Sequence, residues 1–116
     1  MAWMGAVSQG FADASGTWTS AVGGYWSDTN KWQNGVVAAG TGYTATFNAA
    51  NVSVTNDAAA PVGVLKFNQG GVSLYGDPLV LDATEPKIVA NNGIAYLVAP
   101  VVASNGLTVT KENALD

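Results

Sequence analysis

Between Tyr25 and Trp32 the sequence reads YWSDTNKW, which sets three large aromatic rings around one carboxylate and one carboxamide. Three kinds of chemistry suit such a set. As a glycan platform, Tyr25, Trp26 and Trp32 would stack on the apolar face of a sugar while Asp28, Asn30 and Gln33 bond its hydroxyls. As an ion loop, Asp28-x-Asn30 opens correctly, but Trp32 stands where a third oxygen ligand belongs and no glutamate closes the loop. As a plug, the rings cover the end of a hydrophobic core while Asp28 and Asn30 bond turn backbone. Tryptophan buries a large area and its indole N–H can reach a loop carbonyl, so the plug is the expected role and the glycan platform its alternative.

Catalysis lacks parts. The chain has no histidine, cysteine or arginine, which removes Ser/His and Cys/His nucleophiles and a histidine base. Paired carboxylates remain, the arrangement of glycosidases. Asp57, Asp77, Asp82 and Glu85 all fall at turn signals with no sign of a shared cleft, and solvated turn carboxylates are the expectation. Asp77 and Asp82 flank a short apolar run and could share an ion, but no resident metal or cofactor is expected, and no enzyme.

Composition narrows the partners. Eight carboxylates against Lys31, Lys66, Lys87 and Lys111 give a net charge of −4, which cannot build a surface for nucleic acid or an anionic membrane. No apolar run approaches the roughly eighteen residues of a membrane helix. Charged residues are 10% of the chain, so Asn, Ser, Thr and Gly must carry its surface, as in β-rich extracellular proteins. Zero cysteine excludes disulfides and thiolate-bound zinc and suits an oxidising exterior.

The elements that position these residues read as short strands. Runs near Thr17–Thr19, Ala45–Phe47, Val52–Thr55, Gly63–Phe67, Val72–Tyr75, Leu79–Leu81, Lys87–Ala90, Ile94–Val98 and Leu107–Thr110 alternate between Asn, Gly, Asp and Pro turn signals. A shift of twenty residues lays TATFNAANVSVTN (44–56) over VLKFNQGGVSLYG (64–76), matching Phe47 with Phe67, Asn48 with Asn68, Val52 with Val72 and Ser53 with Ser73. That is four identities where average residue usage yields about one. NNGIAYL (91–97) and SNGLTVT (104–110) share a second, looser pattern. A period near twenty with several strands per unit predicts an all-β fold, a short parallel β-solenoid whose coils stack like on like. Asn-Gly also suits two-residue hairpins, so an antiparallel β-sandwich is the alternative.

The order of motifs then resembles a known family. Trp18, Gly24-Tyr25-Trp26-Ser27-Asp28 and Asn30-Lys31-Trp32, followed by Thr44-Ala45-Thr46-Phe47, resemble the opening of autotransporter-associated β-strand repeat proteins. Val62-Gly63-Val64-Leu65-Lys66-Phe67, Ser73-Leu74-Tyr75-Gly76, Leu79-Val80-Leu81 and Gly106-Leu107-Thr108-Val109-Thr110-Lys111 continue the likeness over roughly residues 16 to 111. The resemblance implies an exported bacterial β-helix at the cell surface or in the extracellular matrix, whose aromatic head, here 16–34, covers the first coil. KENALD (111–116) departs from the family's glycine-rich continuation, so a short self-contained subunit or a piece of a longer passenger is expected.

Residues 16–116 are therefore read as a single solenoid domain and 1–15 as an N-terminal arm or strand. Ala12-Asp13-Ala14 in that arm looks like a signal-peptide cleavage site, but no positive region precedes it. Trp3, Met4, Val7 and Phe11 make the arm apolar enough to join one subunit to the next. The expected function is structural: end-to-end self-assembly of copies into a filament outside the cell, with surface glycans as the alternative partner for an adhesin-like module of a larger surface protein.

Overall fold

Alternation decides the strands. In Thr44–Phe47 (β3) the side chains of Ala45 and Phe47 are buried and the two threonines lie half-exposed; in Val64–Phe67 (β5) Leu65 and Phe67 are buried in the same rhythm. Successive side chains on a strand point to opposite faces, so each run offers one apolar face to a core. In a computed structural model, residues 12–58 and 60–111 are described, and nearly all regular structure is strand. The other strands are β1 (Gly16–Trp18), β2 (Gly24–Tyr25), β4 (Ser53–Asn56), β6 (Val72–Gly76), β7 (Leu79–Leu81), β8 (Lys87–Ala90), β9 (Ala95–Leu97), β10 (Val101–Ala103) and β11 (Thr108–Lys111).

Three sheets form, in the orders β1-β3-β5-β8-β11, β2-β4-β6-β9 and β7-β10. Every ladder between these strands is parallel. Strands adjacent in sequence never pair; β5, β6 and β7 lie in three different sheets, and β8, β9 and β10 revisit those sheets in the same rotation. Among the described residues the antiparallel ladders of a sandwich are not seen, and antiparallel pairing is confined to single bridges between Ala14 and Ala39 and between Trp18 and Trp32.

The twenty-residue shift is a physical register. Phe47 faces Phe67, Thr44 faces Val64, and Ser53 faces Ser73. The Phe47 and Phe67 rings stack with centroids 5.3 Å apart and planes 14° from parallel. Val52 and Val72 are both buried, and the Ser73 N–H donates to the Val52 carbonyl at 2.9 Å. The next step is longer, because Val64 faces Lys87 and Val72 faces Ala95, each 23 residues on. The looser match of NNGIAYL with SNGLTVT is not a register: β9 pairs with β6 and β11 with β8. Asn92-Gly93 is likewise no hairpin, since it joins β8 to β9 in another sheet.

Inward side chains line up in columns. Trp18, Phe47 and Phe67 are register partners in one; Ala45, Leu65, Ile88 and Val109 make another; Val54, Leu74 and Leu97 a third. All of these except Val109 belong to or pack against one continuous apolar cluster. Polar columns run beside them. Asn68 Nδ2 donates to Asn48 Oδ1 at 2.9 Å and Asn91 Nδ2 to Asn68 Oδ1 at 2.7 Å, so the matched asparagines form a side-chain ladder with a third rung. Buried Asn56 donates through Nδ2 to the carbonyls of Asp77 and Pro78, both at 3.1 Å, and accepts from the Ala58 N–H at 3.2 Å, closing a corner whose backbone would otherwise be unpaired.

Two elements escape the sequence reading. One is β2, only two residues long. The other is β10, which carries the third sheet with β7, Val101 opposite Leu79 and Ala103 opposite Leu81. Among the described residues no helix is long and apolar enough to cross a membrane.

Candidate functional site

The head is built by a long first step. Gly16 faces Ala45 and Gly24 faces Val54, intervals of 29 and 30 residues. The surplus chain holds two 3₁₀ turns, Thr29–Lys31 and Gln33–Gly35, with Trp32 between them. Asp28 caps the first turn, its carboxylate accepting from the Asn30 N–H at 3.0 Å. Asn34 takes a left-handed backbone (φ 58°), a conformation asparagine tolerates, and this turns the chain back over the core.

Trp18, Trp26 and Trp32 meet over Phe47. Trp18 and Trp32 pack edge to face at 5.4 Å, Trp26 and Trp32 lie 5.3 Å apart, and Trp26 packs edge to face on Phe47 at 5.6 Å. Each indole N–H is satisfied by a backbone carbonyl: Trp18 by Ser20 at 3.0 Å, Trp26 by Ala38 at 2.9 Å, Trp32 by Trp26 at 2.7 Å. The free side of β1 is closed by the Trp18–Trp32 bridge and by the Thr19 N–H donating to the Lys31 carbonyl at 3.1 Å. Asp57 ties the head to the body, Oδ1 accepting from the Ser27 N–H at 2.9 Å and Oδ2 from the Ser27 hydroxyl at 2.7 Å.

This geometry bears on both readings of the aromatic set. Trp26 and Trp32 are each only 3% exposed, so neither ring has a face to offer a sugar, and only Tyr25 of the three stands in solvent. Asn30 and Gln33 are exposed and Asp28 is half-buried, but no ring beside them is open except Tyr25. Asp28 is committed to its own turn. All three indoles are packed inward on one another and on Phe47.

The carboxylates scatter. Asp57 holds Ser27, and Asp82 accepts from the Thr41 hydroxyl at 2.9 Å. Asp77 and Asp82 are brought to one cleft of about 370 Å3, with Pro61, Pro78 and Val80 as its apolar wall. Among the described residues no three acidic side chains gather as metal ligands would.

The opposite end of the molecule is unlike the head. β9, β10 and β11 each have a strand neighbour on one side only among the described residues. Inward positions one circuit earlier, Leu74, Leu81 and Ile88, are all buried, Ile88 the least at 6% exposed. Val109, stacked directly on Ile88, is 66% exposed. A cavity of about 240 Å3 opens there, lined by Ile88, Ala90, Ile94, Ala95, Leu97 and Val109. No sequence signal marks this mouth, because Val109 alternates as a buried strand residue does; exposure follows from what lies above it. The arm residues Trp3, Met4, Val7 and Phe11 lie outside the described residues. Ala14, the last of the arm's described strand contacts, bridges Ala39 through bonds of 2.8 and 2.9 Å.

Compared with family models, curated proteins and solved structures, the chain finds no match.

Proposed function

We propose that the chain is a short parallel β-solenoid, similar to the autotransporter-associated repeat proteins in the order of its motifs, and that its role is structural and outside the cell. On this reading each circuit of the three sheets is one coil. Buried side chains are spent on stacking, and polar ones on ladders and corners, which leaves binding to the ends. The observation that carries the reading is the difference between those ends: one sealed by three indoles, the other an apolar mouth with open strand edges.

Exposed strand edges and apolar interior call for a covering partner. A heterologous, non-closing contact between copies yields an open filament. The low charge of the chain, 10% of residues, leaves little to oppose it. Sedimentation velocity over a dilution series, with negative-stain images of the concentrated sample, tests this. Rods that lengthen with concentration are expected; a single monomeric species at every concentration contradicts it. The glycan reading is left with Tyr25, Asp28 and Asn30 as its surface, and the tryptophans serve only as support beneath.

A further inference from the structure

We propose that the apolar mouth at the β9–β11 end receives residues 1–11 of a second copy, with Trp3 as the anchor. This deepens the end-to-end reading above and rests on it. The donor is read from the sequence. Residues 1 to 12 have no charged side chain, the first being Asp13, and Trp3, Val7 and Phe11 fall at spacings of four, which would share one face if the segment were extended. The acceptor is read from the structure. None of the described residues lining the mouth is charged, and open strand edges stand beside it. At ~30 Å3 per water the cavity holds about eight, so it has room for a large side chain. An extended peptide joining an open sheet edge gains main-chain hydrogen bonds, with specificity from side chains entering pockets.

Other occupants fit less well. Residues 112–116 bring two carboxylates and one large apolar side chain, Leu115, to an uncharged apolar site. The head of a second copy has its β1 edge closed by the Trp18–Trp32 bridge, and its tryptophans are already buried within their own subunit. The molecule's own arm starts at the wrong end. From β1 to β11 the sheet advances four strand spacings, about 19 Å at ~4.8 Å each. Covering that distance takes about six residues at ~3.3 Å per residue, so Val7 and Phe11 would be spent in transit. Delivered by a neighbour whose head abuts the mouth, the whole segment is available. Every joint then has the same polarity, arm into mouth.

Polarity makes a complementation test decisive. Full-length Trp3→Asp disables the arm and leaves the mouth intact; full-length Val109→Lys does the reverse at a side chain that is 66% exposed. Val7→Asp and Ile94→Lys are second variants of each kind, and far-UV circular dichroism verifies the fold. Sedimentation velocity should show wild type growing with concentration, each variant alone losing all species above monomer, and an equimolar mixture forming a dimer and nothing larger. If both variants assemble as wild type does, the joint lies elsewhere and end-to-end assembly stands without this arm. A mixture that stays monomeric overturns the arm-in-mouth contact, and a wild type that never leaves monomer removes the assembly reading with it.

Discussion

Phe47→Ala is expected to lower the stability of the fold by about 3–5 kcal/mol, the usual cost of removing a fully buried phenylalanine ring. Its ring lies at the junction of the head and the first full circuit, with centroids 6.4 Å from Trp18, 5.6 Å from Trp26, 5.8 Å from Trp32 and 5.3 Å from Phe67. Collapse into the vacancy is restricted because the Trp26 and Trp32 indoles are tethered to the carbonyls of Ala38 and Trp26. Aromatic pairing adds about 0.5–1.5 kcal/mol per contact beyond burial, so the loss belongs at the upper end of the range. Urea unfolding followed by tryptophan fluorescence reports it well, since three of the chain's four tryptophans surround Phe47. Tyr75→Ala, at a side chain 40% exposed, should change stability by no more than about 0.5 kcal/mol. A loss below about 1 kcal/mol for Phe47→Ala would mean that the cluster is not packed as described.

Gly63→Val is the second large effect, and it acts through backbone rather than core volume. A Cβ on Gly63 would sit 2.6 Å from Gly42 Cα and 2.9 Å from its carbonyl carbon and nitrogen. These atoms cannot step aside, because the Gly63 N–H donates to Tyr43 at 2.7 Å and the Gly42 N–H to Asp82 at 2.9 Å. Adjacent circuits pass within contact there, and any side chain must wedge them apart. Overpacking of this kind costs about 1–3 kcal/mol, and a clash with fixed backbone falls at or above the top of that range. Gly106→Ala is the matched control, since a Cβ there meets nothing within 4 Å. Thermal or urea melts of the two variants should separate cleanly; equal stabilities would show that the corner is looser than its geometry states.

What the sequence made legible depended on constant spacing. Phe47 with Phe67, Asn48 with Asn68 and Val52 with Val72 could be matched because one circuit repeats at twenty residues with no insertion. The same shift fails in the next circuit, where the step becomes 23. A shift of 22 aligns Pro78-Leu79-Val80-Leu81 with Pro100-Val101-Val102-Ala103 and would have revealed β10. Asn91, the third rung of the amide ladder, was hidden by the same change of step. In the head, buried and exposed aromatics carry the same letters: Trp26 and Tyr25 are neighbours with opposite fates, decided by whether the ring lies over Phe47 or points away. The burial of Trp18, Trp26 and Trp32 was legible from residue type. The mouth was not, because Val109 and Ile88 differ in neighbours rather than in pattern.

The measurement closest to the central claim uses the absence of cysteine, which lets an introduced pair report on itself alone. Thr44 faces Val64 across the β3–β5 ladder, while an antiparallel pairing that kept the same faces inward, Ala45 opposite Phe67 and Phe47 opposite Leu65, would set Thr44 opposite Asn68. The double variant Thr44→Cys/Val64→Cys, oxidised at low concentration, should close an intramolecular disulfide seen as loss of two hydrogen atoms in the intact mass, and Thr44→Cys/Asn68→Cys should keep both thiols free. Cα atoms of facing strand residues lie within the range a disulfide can bridge. Closure of the 44–68 pair with the 44–64 pair left open would contradict parallel stacking, and with it the difference between the two ends on which the proposed assembly rests.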